Sequence, residues 1–244
     1  PSDMGQRCSH PDPSLRFTLG LVCLFTIHMD NKKAITERKR GKRSAEAAEE
    51  TRRAILAAAG RHFAAEGFGA ASLRDIGDSA GTTHGVIRHH FGTKDDLWKA
   101  VVDDFIGQVA ARQLPLFDQV DDKDPIELLK TFTVQFMRQT AEMPEVAKLM
   151  LKESGEPGPH LDYLAERILP VHELITPVFK RVQKAGYLTE HDPDSFFIFL
   201  VMLGSIPFAI APFTNKFYRD DIASDAGIDA HIDRVLSTLF PTTT

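Results

Sequence analysis

With 244 residues, 43% of them hydrophobic and 26% charged, the chain can bury one large core or two small ones. The formal charge of −5 argues against nucleic acid only as an average, because residues 30–100 are net basic and residues 101–244 net acidic. Val-Ile-Thr alternation is scarce and helical periodicity common, which excludes a β architecture and predicts an all-α fold.

Residues 1–28 do not read as part of a domain. PSDMGQRCSHPDPS is turn-rich, and the apolar run LRFTLGLVCLFTIH is too short to span a bilayer as a helix and lacks a small-residue cleavage site. Met29 is the expected natural start. Both cysteines, Cys8 and Cys23, fall in this stretch, so no disulfide framework is expected and a reducing cytoplasm is the expected location. Lys32–Arg43 then carries seven Lys/Arg against one Glu. It reads either as a solvated charge run or as a basic arm, with Lys39, Arg40, Lys42 and Arg43 gripping phosphates or entering a minor groove. In either case it should be mobile without DNA, and residues 1–44 are expected to form an extension.

A first packed helix is predicted over Glu46–Glu66, with Ile55, Ala59, His62 and Phe63 inward and Gly67 as its C-cap. His62 reads as a core-edge residue. The stretch Ser72–Leu97, SLRDIGDSAGTTHGVIRHHFGTKDDL, follows. Ser72 and Asp75 have capping-box spacing, Gly81 suits a left-handed turn, and Thr82 or Thr83 can cap the next helix. In that helix Val86, Ile87, His90 and Phe91 share a face opposite His84, Gly85, Arg88 and His89. Thr93 and Asp96 form a second capping box. Helices this short are not stable alone, so residues 45–92 read as a helix-turn-helix domain that presents a polar face to a major groove. Arg88 matches guanine O6 and N7, Gly85 permits close backbone approach, and Lys94 is a phosphate contact. Ser72, Thr82, Thr83, His84 and His89 complete the DNA-binding set. A metal site at His84, His89 and His90 is disfavoured by their spacing and by the lack of a completing Cys or carboxylate.

AGTTHGVIRHHFGTKDDL resembles the recognition stretch of TetR-family transcriptional regulators in order, spacing and flanking helices. Arg88 stands where that family usually has Tyr, and Thr82 where a small apolar residue is common; both bear on which operator is read. The resemblance implies a brace role for the first helix, an operator-binding homodimer acting as a repressor, and a helical body over residues 93–244 that binds a small-molecule effector and dimerises.

The body is read as helices punctuated by Pro and Gly. A connector runs from Thr93 to before Pro115, with Trp98 in its core. Others are predicted over Pro125–Thr140, Pro144–Lys152 and Leu161–Ala185, the last interrupted or bent near Pro170 and Pro177. Phe132, Phe136, Met150, Tyr163, His172 and Phe179 could line a ligand pocket of apolar walls with two polar handles. Ser195–Tyr218 is uncharged up to Asn215, but Pro207 and Pro212 interrupt it, which favours an interface over a membrane span. With a terminal helix over Asp229–Leu239 it is the dimer surface that the resemblance implies, through Phe196, Phe199, Leu200, Leu203, Leu236 and Leu239. Glu153, Glu156 and His160 read as a solvated loop cluster. No nucleophile elbow, phosphate loop or zinc-protease motif occurs, so neither an enzyme nor a cofactor or metal is expected. A transcriptional activator of the same fold would share every residue argument; a ligand-binding helical protein without DNA function would need the reader motif to be chance.

Overall fold

The computed structural model describes residues 39–117 and 124–240, with side chains from residue 45 onward. The proposed start at Met29, and the arm up to residue 38, lie outside the described residues, as do the side chains of Lys39, Arg40, Lys42 and Arg43. The described part of Lys42–Thr244 is one compact unit. It is all-α: α1 (Lys39–Ala70), α2 (Leu73–Ser79), α3 (His84–Phe91), α4 (Lys94–Gln113), a 3₁₀ turn (Leu114–Phe117), α5 (Pro125–Glu142), α6 (Pro144–Glu153), α7 (Pro159–Lys184), α8 (Pro193–Ala209), α9 (Ala211–Thr214) and α10 (Asp225–Leu239).

Helix α1 starts seven residues earlier than the sequence pattern predicts, and its last turn re-forms after a break at Gly67, whose φ is +82°. A left-handed residue there re-aims the chain, so that Phe68 packs on Phe63 with ring centroids 6.1 Å apart. The buried residues Ile55, Ala59, Phe63, Ile76, Ile87, Leu97 and Trp98 form the core shared by α1–α4. The body core is built from α5, α7, α8 and α10 around Leu129, Phe132, Phe179, Phe196 and Val235. Helix α4 packs on α3, α5 and α7, and so joins the two cores.

Helix α7 runs through both Pro170 and Pro177, although each removes one backbone donor; the predicted interruption does not occur. In α8, Pro207 cannot donate to the carbonyl of Leu203. The His231 side chain of α10 fills that vacancy, with Nε2 donating at 2.8 Å, while Nδ1 faces the Tyr218 hydroxyl at 3.4 Å. Burial holds the His231 imidazole below the ordinary histidine range. The unfolded chain therefore takes up this proton first. Stability is complete above about pH 6.5 and should fall as pH drops below that value. Thermal midpoints measured across this range should fall more steeply for the native chain than for His231→Gln, which keeps a donor for Leu203 but cannot titrate. Parallel profiles would assign the acid sensitivity to another group.

Candidate nucleic-acid interface and effector cavity

The reader is assembled by short-range contacts. Ser72 caps α2 by accepting the Arg74 amide at 3.2 Å. The predicted reciprocal box with Asp75 reduces to this single cap, because the hydroxyl meets the second helical N–H rather than the third. Gly81 turns the chain at φ +66°. A Cβ on Gly77 would stand 3.1 Å from the Thr82 carbonyl oxygen, so a small residue there lets α2 and α3 close on each other. Thr83 caps α3 by accepting the Val86 amide at 3.4 Å, and Thr93 and Asp96 make a full capping box at the start of α4. Through it the Thr93 hydroxyl and amide hold the Asp96 carboxyl below the usual carboxylate range. His62 ties α1 to α2, with Nε2 at 2.9 Å from the Ser79 hydroxyl and Nδ1 at 2.7 Å from Glu66.

Ile87 is 1% exposed and anchors α3. Thr83, His84, Gly85, Arg88 and His89 consequently share the exposed side, while Thr82 and Ser72 are half-buried at its edge. Gly85 has nothing nearer than Thr83 Oγ1 at 3.8 Å from where a Cβ would stand, so this face is open. Among the described residues the Arg88 guanidinium has no hydrogen bond or ion pair, while its carbonyl accepts the Gly92 amide at 2.9 Å. Lys94 is placed differently from the others: its ammonium donates to the Gly69 carbonyl at 3.3 Å and lies over the Phe68 ring at 4.7 Å. No group of histidines, cysteines and carboxylates able to hold a metal occurs among the described residues.

In the body, a cavity of about 70 Å³ lies between α4, α5, α6, α7 and α8. Of the six residues assigned to a ligand pocket from the sequence, Phe132, Phe136 and Met150 line this cavity. Tyr163, His172 and Phe179 do not. Tyr163 donates to Asp103 at 2.9 Å between α7 and α4. His172 Nε2 stands 2.9 Å from the Asp194 carboxylate, without hydrogen-bond alignment, at the α7–α8 contact. Phe179 is fully buried against Phe196 in the body core. The polar handles are instead Gln139, Thr140 and Ser205, which periodicity could have placed on one face of α5 and α8. Each already donates a hydrogen bond: Gln139 to the Gln108 carbonyl, Thr140 to the Gly204 carbonyl and Ser205 to the Val201 carbonyl. No charged residue lines the cavity.

The predicted interface residues divide. Phe196, Leu200 and Leu239 are 5% exposed or less and belong to the subunit's own core. Leu203 and Leu236 pack half-buried against that core. Of them only Phe199 is exposed, as are Ile198 and Met202 on α8 and Ile210, Phe213 and Phe217 in the segment after it. No helix among the described residues is long and apolar enough to cross a membrane. The sequence reading missed the junction at His160: the ring is part-buried and bonded to Glu153 and Asp95, not solvated.

Comparison with known proteins bears on the same region. Residues 55–101 match the family model described as bacterial regulatory proteins, tetR family. The chain is 29% identical over 206 residues to the HTH-type transcriptional repressor BepR of Brucella suis biovar 1, covering 80% of this chain and 92% of BepR. It is 49% identical over 55 residues to the HTH-type transcriptional repressor Rv3405c of Mycobacterium tuberculosis, which is 22% of this chain and 29% of that protein. The crystal structure of AibR in complex with isovaleryl coenzyme A and operator DNA aligns with a TM-score of 0.63 at 18% identity, covering 78% of this chain and 98% of AibR.

Proposed function

The chain belongs to the TetR family of DNA-binding transcriptional regulators, and we propose that it works as a homodimeric repressor released from its operator by an apolar small molecule. The observation that carries the DNA part is the exposed polar side of α3, held in place by buried Ile87 and capped by Thr83. Arg88 and His89 read base edges; Thr83, His84 and Ser72 position the helix on the backbone, together with the basic arm and Lys94 once it leaves Gly69. Two subunits joined through α8 and α9 set the half-sites about 34–36 Å apart or a multiple of that spacing. The names of BepR and Rv3405c as repressors support the sign of regulation.

The effector part rests on the uncharged cavity. Its 70 Å³ is far below the roughly 300–1,000 Å³ of ordinary ligand pockets, so a ligand must part the surrounding helices to enter. That need for two packings is what links binding to the reader, and the effect is bounded by the ligand's differential affinity for the two. AibR, whose structure holds both isovaleryl coenzyme A and operator DNA, supports a fold that serves both ligands. In this chain only an acyl-like or similarly apolar group suits the wall.

Selection of random duplex DNA at fixed moderate salt tests the proposal, and an enriched palindrome is the expected result. On the enriched duplex, Arg88→Ala should cost roughly 1–3 kcal/mol and relax one base position. Uniform weakening across sequences would reduce Arg88 to a phosphate contact.

A further inference from the structure

The His160 ring lies where the body meets the reader. Its Nδ1 is 3.1 Å from Glu153 Oε2 at the end of α6, and its Nε2 is 3.0 Å from Asp95 Oδ1 in the first turn of α4. Carboxylate oxygens only accept, so the ring can bond both partners at once only when both of its nitrogens carry hydrogen. The ring stacks on Trp98 at 4.0 Å and 20°, and meets the Phe68 ring edge-on at 4.3 Å. The second Glu153 oxygen accepts the Phe68 amide at 3.2 Å. One histidine ring thus joins the end of α1, the start of α4, the end of α6 and the start of α7. The His160 and Glu153 side chains are only 16% and 12% accessible, so solvent screens that pair weakly, whereas Asp95 is 44% accessible.

We infer that His160 is a positioning residue that couples the effector cavity to the DNA reader, by clamping Glu153 of the body to Asp95 directly behind the recognition helix. The cavity half of this inference rests on the proposed function; the clamp itself does not. Helices α6 and α7 hold the clamp at one end and wall the cavity through Val146, Met150, Ile168 and Val171 farther along. Separating them changes the Glu153–His160 distance directly. Asp95 is three residues beyond Gly92, which ends α3, so the clamp acts on the recognition helix through a single turn. The surrounding charges are Asp95, Lys99 and Lys94 on α4, and Glu153 and Lys152 on α6. Tyr163 and Arg167 lie on α7 itself, with Asp103 of α4 between them. Lys99 bonds the other Asp95 oxygen at 2.7 Å, which keeps that carboxylate charged toward His160. A neutral imidazole can serve only one of the two carboxylates. Loss of the proton therefore opens the clamp, and the reader must then be ordered at the moment it binds DNA.

Trp98 is the only tryptophan, and its buried Nε1 has no partner. A charged imidazole stacked on it quenches its emission, so the full chain reports on the clamp with no added probe. Emission should rise as pH is raised from about 5 to about 9, and this transition should vanish in His160→Gln. Glu153→Gln, which keeps the ring in place, should move the transition to lower pH. On the selected operator duplex, the loss of affinity between the two ends of that range should be about five- to tenfold larger for the native chain than for His160→Gln, which cancels the contribution of the histidines on α3. The same emission transition in all three proteins, or equal affinity ratios, would overturn the coupling. Failure to enrich any duplex overturns the operator reading, while the emission transition still decides the clamp.

Discussion

Glutamate at both Phe199 and Met202 should convert the protein to monomers and weaken operator binding by at least a hundredfold. The two side chains are 45% and 49% exposed on α8, next to exposed Ile198, and Ile210, Phe213 and Phe217 are exposed in the segment that follows. Six large apolar side chains exposed between Ile198 and Phe217 are the kind of surface that marks an interaction site. In the proposed homodimer a second copy of the same surface would bury it symmetrically. Two charges placed at its centre would have to be desolvated without partners, which an interface of this kind cannot offset. A lone reader then keeps one half-site and loses the effective-concentration gain of roughly 10²–10⁴ that linkage supplies. Neither side chain contributes to the subunit's core, so helicity and unfolding temperature should hold. Sedimentation measures the first part and titration of the enriched duplex the second. A double variant that remains dimeric would remove this face from the assembly.

The same face marks the limit of what the sequence made legible. The turn and most caps of the reader were legible because their determinants are local: Thr83, Gly81, and the Thr93–Asp96 box each act within four residues. Helix α8 offers no such phase. Phe196, Phe197, Ile198, Phe199 and Leu200 follow one another, so periodicity cannot say which of them turn inward. Contacts with α7 and α10 decide it, taking Phe196 and Leu200 into the core and leaving Ile198 and Phe199 outside. For α10 the result is the opposite of the expectation from Leu236 and Leu239. Its apolar side is used up within the subunit, and Asp229, Asp233, Arg234, Ser237 and Thr238 are what it exposes. The cavity fared in the same way. Phe132, Phe136 and Met150 were legible as a stripe, whereas Tyr163 and His172 were drawn away by Asp103 and Asp194, partners 60 and 22 residues distant. The His160 clamp depends on Asp95, 65 residues earlier, and no pattern in the chain announces that pairing.

Two helical glycines should respond to alanine with opposite signs. At Gly227, in the first turn of α10, a Cβ would run into the backbone carbonyl of Asp221, well inside van der Waals contact. That backbone cannot give way. The Asp221 carbonyl accepts the Ser224 hydroxyl at 2.6 Å, and its carboxylate accepts the Ala223 amide at 3.0 Å and the Asn215 amide group at 2.8 Å. These bonds, the Ala223 amide first, hold the carboxyl below the usual range. Ser224 in turn caps α10 through the Gly227 amide. Gly227→Ala must therefore either break the cap or tilt α10. A tilt would also pull His231 from the Leu203 carbonyl that Pro207 leaves open. The expected loss is about 3 kcal/mol or more, at the upper end for overpacking because the obstacle is main chain. At Gly85 the space is open, and alanine removes backbone freedom from the unfolded chain without a clash, so Gly85→Ala should stabilise by up to about 1 kcal/mol. Its cost should appear only on DNA, where the added methyl stands between α3 and the groove floor. Unfolding midpoints and operator titrations on the two variants separate the effects. If Gly85→Ala leaves operator affinity unchanged, the backbone of α3 does not approach the bases closely, and recognition rests on the longer reach of Arg88 and His89.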